Sequence, residues 1–322
     1  MKFKDIYDKA VKRGMELDPR GVKEVRAELA QIKKEYARLD KEEKKYFDKE
    51  RLTNPYSDTR MLYGAPGTEV KRVLMGIDID VSEVLLADRL NQKRGKKIDL
   101  IIAHHPQGRG LIGLGDVMGM QSGVLARFGV PIHIGESLLA ERSGEVGRRL
   151  MPANHTKTVD AAKLLDIPMM CMHTPTDNAV TTYLQDIFDK KKPQYISDIF
   201  DILYKIPEYD YARGATIGPK LVVGDRKRKA GKIFVDMTGG TGGSKKVFEK
   251  LSAAGIGTIV GMHIGDDHRK EAEKHHMNVL LAGHISSDNL GINLLMDDIF
   301  KGVDVVECSG FRRFTRAKGK KS

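Results

Sequence analysis

Residues 99–106, DLIIAHHP, bring an apolar run to an abrupt end in two adjacent histidines and a proline. The run reads as a buried strand, and open α/β folds place their ligands at strand ends. Side chains alternate along a regular strand, but Pro106 restricts the residue before it, so at this irregular end His104 and His105 can turn into one crevice. A lone histidine is more often structural than a ligand. A doubled one here points to metal.

Two more segments copy the pattern. Residues 167–178, IPMMCMHTPTDN, offer His173 and Asp177 across a Thr-Pro turn, although Asp177 also suits a helix N-cap. Residues 278–300, NVLLAGHISSDNLGINLLMDDIF, turn through Gly283 into His284 and a helix that carries Asp288 four residues on, on the same face. Taken alone, Asp288 also reads as a first-turn acid favoured by the helix dipole, with Ser286 or Ser287 as the cap. Together His104, His105, Asp177, His284 and Asp288 form a nitrogen and oxygen set suited to Zn, Mn, Fe or Co rather than Ca or Mg. Five ligands are too many for one tetrahedral ion with an open position. They fit two divalent ions roughly 3.5–4 Å apart that share a carboxylate.

Around these ends the chain alternates short β-branched runs with helical stretches, which predicts α/β architecture. Strands are expected at 70–79, 99–103, 130–135, 168–172, 221–223, 232–236, 257–260 and 279–282, and a helical stretch at 178–205 divides the α/β part into halves. Before them, Val22, Val25, Leu29, Ile32, Tyr36 and Leu39 follow a 3-4-3-4-3 spacing, a coiled-coil-like seam. Phe3, Ile6, Tyr7, Ala10, Val11 and Gly14 form a shorter stripe, separated from the seam by Asp18-Pro19-Arg20-Gly21. The expected organisation is an accessory helical hairpin at 1–54 for packing, self-association or a partner protein, an α/β metal-binding domain at 55–310, and a basic tail at 311–322. The run MTGGTGGSKK, 237–246, has Ser244 where a Walker loop needs its second Gly, so a tight turn lining the metal cleft is the better reading.

Charge narrows the partners. The net charge is +11, and FRRFTRAKGKKS at 311–322 holds six Lys or Arg and no acid, so an open, solvated tail carries more than half of the excess. That argues against a nucleic-acid face, which needs cations clustered on folded structure. A second basic run, 225–232, reads as a charged hairpin loop first and a substrate-phosphate contact second. No apolar run approaches the roughly 18 residues of a membrane span, and Cys171 and Cys308 sit in strand-like runs as reduced thiols, so the cytoplasm is the expected location.

The strand DLIIAHHP, the turn HTPTD, the loop TGGTGGS and the ending AGHISSD, in this order and after the opening segment YSDTRMLYG, resemble the Nif-three-like family, whose members often carry the label GTP cyclohydrolase type two. The resemblance covers residues 56–308. It implies two intertwined α/β repeats with mixed sheets around a metal cleft, a dinuclear centre, and assembly as a homo-oligomer, commonly a hexamer. By matching motif, the ligands are His104, His105, Asp177, His284 and Asp288, with His173 beside the metals either supporting a ligand or acting as a catalytic proton-transfer residue. The implied activity is metal-dependent hydrolysis of GTP or another phosphate-containing small molecule; a non-catalytic metal-binding or scaffold protein is the alternative. The chain departs from the family in having Asp288 where Glu is usual, and in lacking the usual Gly-Glu pair near GMHIGDDH, 261–268, where His263 or His268 is available as a further ligand or substrate contact.

Overall fold

The computed structural model describes residues 1–95 and 97–316. Helices α1 (Phe3–Glu16), α2 (Val22–Arg38) and α3 (Lys41–Tyr46) precede the first strand. The first half then contributes β1 (Arg60–Tyr63), β2 (Arg72–Gly76), α4 (Val81–Arg94) and β3 (Leu100–Ala103). Five helices, α5 (Gly108–Ile112), α6 (Leu114–Val117), α7 (Met120–Arg127), α8 (Ile132–Leu150) and α9 (Lys157–Leu164), lead to β4 (Met169–Cys171). Helices α10 (Thr174–Lys191), α11 (Ile196–Leu203) and α12 (Pro207–Gly214) pass to the second half. That half holds β5 (Lys220–Val223), β6 (Lys232–Asp236), α13 (Val247–Ala253), β7 (Ile256–Gly261), α14 (Asp266–Lys274) and β8 (Asn278–Leu281), followed by α15 (His284–Ile299) and β9 (Asp304–Cys308).

The two sheets have orders β1-β4-β3-β2-β9 and β5-β8-β7-β6. Apart from β9 these are the same order, and in each the first strand is the antiparallel member, β1 on β4 and β5 on β8. The fold is therefore α/β with two repeats of one unit. They are intertwined because β9, which follows the second unit, adds in parallel to β2 of the first. Parallel strands buried on both faces read as continuous apolar runs, as at Leu100–Ala103, where all four residues are buried.

Several expectations change. The run 130–135 begins a helix, because Pro131 sits at the N-cap of α8 and the apolar residues Ile134, Leu138 and Leu139 recur at helical rather than strand spacing. Helix α1 belongs to the core and not to an accessory hairpin. Its Phe3, Ile6 and Ala10 are buried among Val73, Met75 and Leu295. A Cβ built on Gly14 would lie 2.8 Å from Pro175 Cβ, so α1 meets the first turn of α10 at a distance only glycine allows. Helix α2 fits the accessory description better, with Val25 and Leu29 buried and the outer part of its seam, Ile32, Tyr36 and Leu39, half-buried.

The basic run 225–232 does not form a hairpin, since β5 and β6 lie on opposite edges of their sheet. Two of its cations pack on aromatic rings instead, Arg226 over Phe200 and Lys229 over Tyr195, each 4.0 Å from the ring centroid. Of the basic tail, 311–316 is docked rather than open. Phe311 is fully buried, Arg312 N donates to Asn289 Oδ1 at 2.6 Å, Arg313 pairs with Asp297, and Arg316 pairs with the buried Glu208. The remainder of that tail, 317–322, lies outside the described residues. Among the described residues no helix is long and apolar enough to cross a membrane.

Candidate metal centre

The parallel strands of both sheets end in one cleft. From the first sheet, β3 releases His104 and His105, and β4 releases His173 before α10 carries Asp177 on its first turn. From the second sheet, β8 turns through Gly283, whose φ of +110° only glycine adopts readily, and α15 carries His284 and Asp288. The two halves supply equivalent pairs. His173 and Asp177 stand four residues apart, as do His284 and Asp288, and an asparagine follows each aspartate. These asparagines tie remote segments to the site: Asn178 Nδ2 donates to Gly14 O at 3.2 Å, and Asn289 Nδ2 to Gly310 O at 3.0 Å.

All five residues expected as ligands come together. His104 Nε2 lies 3.4 Å from Asp288 Oδ1 and 3.7 Å from Asp177 Oδ1, while His105 Nε2 and His284 Nε2 lie 3.6 Å and 3.7 Å from Asp288 Oδ2. Two ligand triplets result, His104 with Asp177 and Asp288, and His105 with His284 and Asp288, and either can hold a metal ion. A third joins His104, His105 and His173. Asp288 belongs to the first two, one oxygen toward each.

A test of fit comes from groups that the protein leaves unsatisfied. Among the described residues, His104 Nε2, Asp177 Oδ1 and both oxygens of Asp288 are buried and make no hydrogen bond. A buried carboxylate without a partner costs several kcal/mol unless a cation compensates it. The unsatisfied atoms are the ones the triplets would offer to metal, so the residues present fit the group.

The fold has solved counterparts. A NIF3 superfamily protein from Sphaerobacter thermophilus is similar over 79% of this chain and 92% of its own, with 27% sequence identity and a TM-score of 0.69. In sequence and fold the chain is similar to this NIF3 superfamily protein. Reduced HcgD from Methanocaldococcus jannaschii is more distantly similar, with 14% identity over 77% of this chain and 87% of its own and a TM-score of 0.47. A Bacillus cereus protein related to NIF3 has 12% identity over 78% and 89%, with a TM-score of 0.42. No family model matches the chain, and no curated protein matches it.

Each inner histidine is oriented by a partner on the far side of its ring. His105 Nδ1 lies 2.7 Å from Asp78 Oδ1, His173 Nδ1 2.9 Å from Asp58 Oδ2, and His104 Nδ1 3.2 Å from Met172 O. Partners of this kind fix the tautomer and aim Nε2 inward. Asp58 and Asp78 are not marked by the motifs that carry the ligands. The one sequence signal for Asp58 is its place in YSDTRMLYG, the opening segment of the family resemblance.

The surroundings split the histidines electrostatically. Burial and the neighbouring His104 push His105 down to about 4, so it is neutral and free to ligate near pH 7. Burial would also lower His173, but Asp177 and the hydrogen-bonded Asp58 outweigh it and lift the imidazole to about 9. Burial raises Asp177 to about 6, against the pull of His173 and His104. Asp288 moves the other way: burial opposes its ionisation, yet His104, His284 and His105 together hold it below the usual carboxylate range.

The glycine-rich turn lines the cleft as expected. Gln121 Nε2 pins it by donating to Gly239 O at 2.6 Å and Thr241 O at 2.7 Å. Of the two extra histidines, His263 reaches the cluster, with its ring centroid 5.2 Å from that of His284. His268 is engaged elsewhere, its Nε2 3.0 Å from Gly243 O.

Proposed function

We propose that the protein is a divalent-metal-dependent hydrolase with a dinuclear site. The observation that carries this reading is the pair of oxygens of Asp288, buried, unsatisfied and directed one to each ligand triplet. His104 and Asp177 would hold one ion, His105 and His284 the other, with Asp288 shared. When bound, such ions supply Lewis acidity, which polarises a substrate oxygen and lets water react near neutral pH.

The chain's own residues supply the rest. The Asp58 carboxylate fixes His173 through Nδ1, which leaves Nε2 facing Asp177 Oδ2 at 3.5 Å. Held there, His173 can deliver a proton to a leaving group and take one from water on the return. His105, its Nε2 directed at Asp288 Oδ2, suits a ligand and not an acid. The asymmetry between the two separates binding from proton transfer.

GTP and other phosphate-containing small molecules are the substrates implied by the family resemblance, and a homo-oligomer, a hexamer, is the assembly it implies. Metal content of the wild type and of His104→Ala, with hydrolysis of GTP and of phosphate, carboxylic ester and amide panels assayed in parallel, tests the reading. More than one ion per wild-type chain and turnover lost in the variant are expected. Fewer than one ion per metal-replete chain overturns the centre, and bound metal with no turnover on any panel leaves a metal-binding protein without hydrolase activity.

A further inference from the structure

His284 and Asp288 share one stripe of α15, and the stripe beside it carries residues of another kind. Asn289, Asn293 and Asp297 recur every four positions, about 100° around the helix from that pair. Each meets the backbone of the C-terminal segment. Asn289 Nδ2 donates to Gly310 O at 3.0 Å, and its Oδ1 accepts from Arg312 N at 2.6 Å. Asn293 Nδ2 donates to Arg312 O at 2.9 Å, its Oδ1 accepts from Phe314 N at 3.2 Å, and Asp297 Oδ2 accepts from Arg316 N at 2.8 Å. The two periods match. Four helical residues rise about 6 Å and two extended residues span roughly 6–7 Å, so side chains of α15 take the place of a neighbouring strand.

Ion pairs close the outer side of this ladder. Arg313 pairs with Asp297, and Arg316 Nη1 donates to Glu208 Oε1 at 2.7 Å. Glu208 is only 1% exposed, and the same oxygen accepts from Asn293 Nδ2 at 3.0 Å. A buried carboxylate that loses its cation is strongly destabilised, so Glu208 holds Arg316 in place.

The other faces of α15 are apolar, with Leu290, Ile292, Leu295 and Met296 buried in the core. Hydrophobic contact is non-directional. The ladder is directional, and its five hydrogen bonds, spread over three levels of the helix, oppose both sliding and rotation. Metal ligands need that precision, because a site loosens once its side chains depart by more than about 0.5 Å from the productive geometry.

We propose that residues 310–316 form a strap that sets the position of α15, and with it His284 and Asp288, and that Asn289, Asn293 and Asp297 are its positioning residues. This rests on the metal centre of the hydrolase reading and adds what tunes its affinity.

Calorimetric titration of metal-free protein with Zn²⁺ tests the strap, comparing the full chain with chains that end at Lys318 and at Phe311. The chain ending at Lys318 keeps every rung and should bind as the full chain does. The chain ending at Phe311 should bind about 10- to 100-fold more weakly, the usual cost of losing support behind a ligand. Hydrogen exchange in the metal-free state should quicken more along α15 than along α10. If the shorter chain does not fold, Arg313→Gln combined with Arg316→Gln keeps the backbone rungs, and should weaken Zn²⁺ in the same direction by a smaller factor. A lower metal-free Tm with unchanged Zn²⁺ affinity would show a tail that is only structural and would overturn the proposal. Equal affinity in all the proteins overturns the strap alone, whereas a full chain that takes up no Zn²⁺ removes the metal centre and the strap's purpose together.

Discussion

Asp288 Oδ1 lies 3.4 Å from His104 Nε2, and neither atom has a hydrogen-bond partner among the described residues. Two buried polar atoms held this close without satisfying each other are arranged for a third party. Asp288→Ala should therefore reduce bound metal to one ion or fewer per chain by elemental analysis, because it removes a ligand from two triplets at once. Asp288→Glu should keep the metal, since it restores the residue usual at this place in the family. Full metal content in Asp288→Ala would show that this carboxylate is not shared.

Chelation should destabilise the protein. If the ions bind only the native state, metal at about 100 times its dissociation constant adds roughly 2.7 kcal/mol per site. Scanning calorimetry with and without chelator should show a lower Tm after metal removal, and a Tm independent of metal would contradict a resident centre.

Asp58→Asn keeps the size of the side chain but removes the carboxylate that faces His173 Nδ1 and accepts from Thr174 Oγ1 at 2.6 Å. Loss of an orienting partner typically costs 10- to 100-fold in activity or metal affinity. Turnover should fall by about that factor, and the pH at which the general acid titrates should move down. A simple loss of stability would not shift that profile.

Stability of the metal-free protein should depend on pH through His173. Its folded value, about 9, exceeds the ordinary 6.5, so its contribution is complete below pH 6.5 and is lost as pH rises through 9. Asp177, raised to about 6 from 3.8, acts in the same direction over a lower window, stabilising below 3.8 and losing that effect as pH rises through 6. Tm should fall between pH 6.5 and 9 in the wild type, and this fall should be shallower in His173→Gln.

Gly14→Ala tests whether α1 is structural. The new methyl would sit 2.8 Å from Pro175 Cβ and 2.9 Å from Pro175 Cα, and the latter is backbone and cannot swing aside. Overpacking of this kind costs about 1–3 kcal/mol. Because Pro175 opens the helix that carries Asp177, metal affinity should weaken along with Tm, whereas an accessory hairpin would leave both unchanged.

The candidate ligands were readable because each lies at the end of a buried parallel strand or about one helical turn beyond it, and such a strand is a continuous apolar run with a sharp polar end. The edges were not. Strand β1 has four residues, the first a buried arginine, and β9, DVVEC, has exposed Asp304 and Glu307 and no fully buried position, so neither shows the apolar run that marked the central strands. In α8 a proline followed by Ile-His-Ile gave a short apolar stretch that periodicity alone does not assign to strand or helix. Asp58 and Asp78 were hidden for another reason: an acid that orients a histidine across the fold is identified only once the chain has brought the two together.

Strand β9 has a consequence for how the chain acquires its shape. Arg72 of β2 pairs with Asp304 of β9, and the whole second unit lies between them in sequence. A ribosome delivers the N-terminal unit first, yet that unit waits with an open edge at β2 until the last strand has been made. Pairings this distant in sequence close slowly, because the loop entropy must be overcome before the contact forms. During synthesis the first sheet is therefore an unfinished template, and completing its edge is a late step that joins the two units.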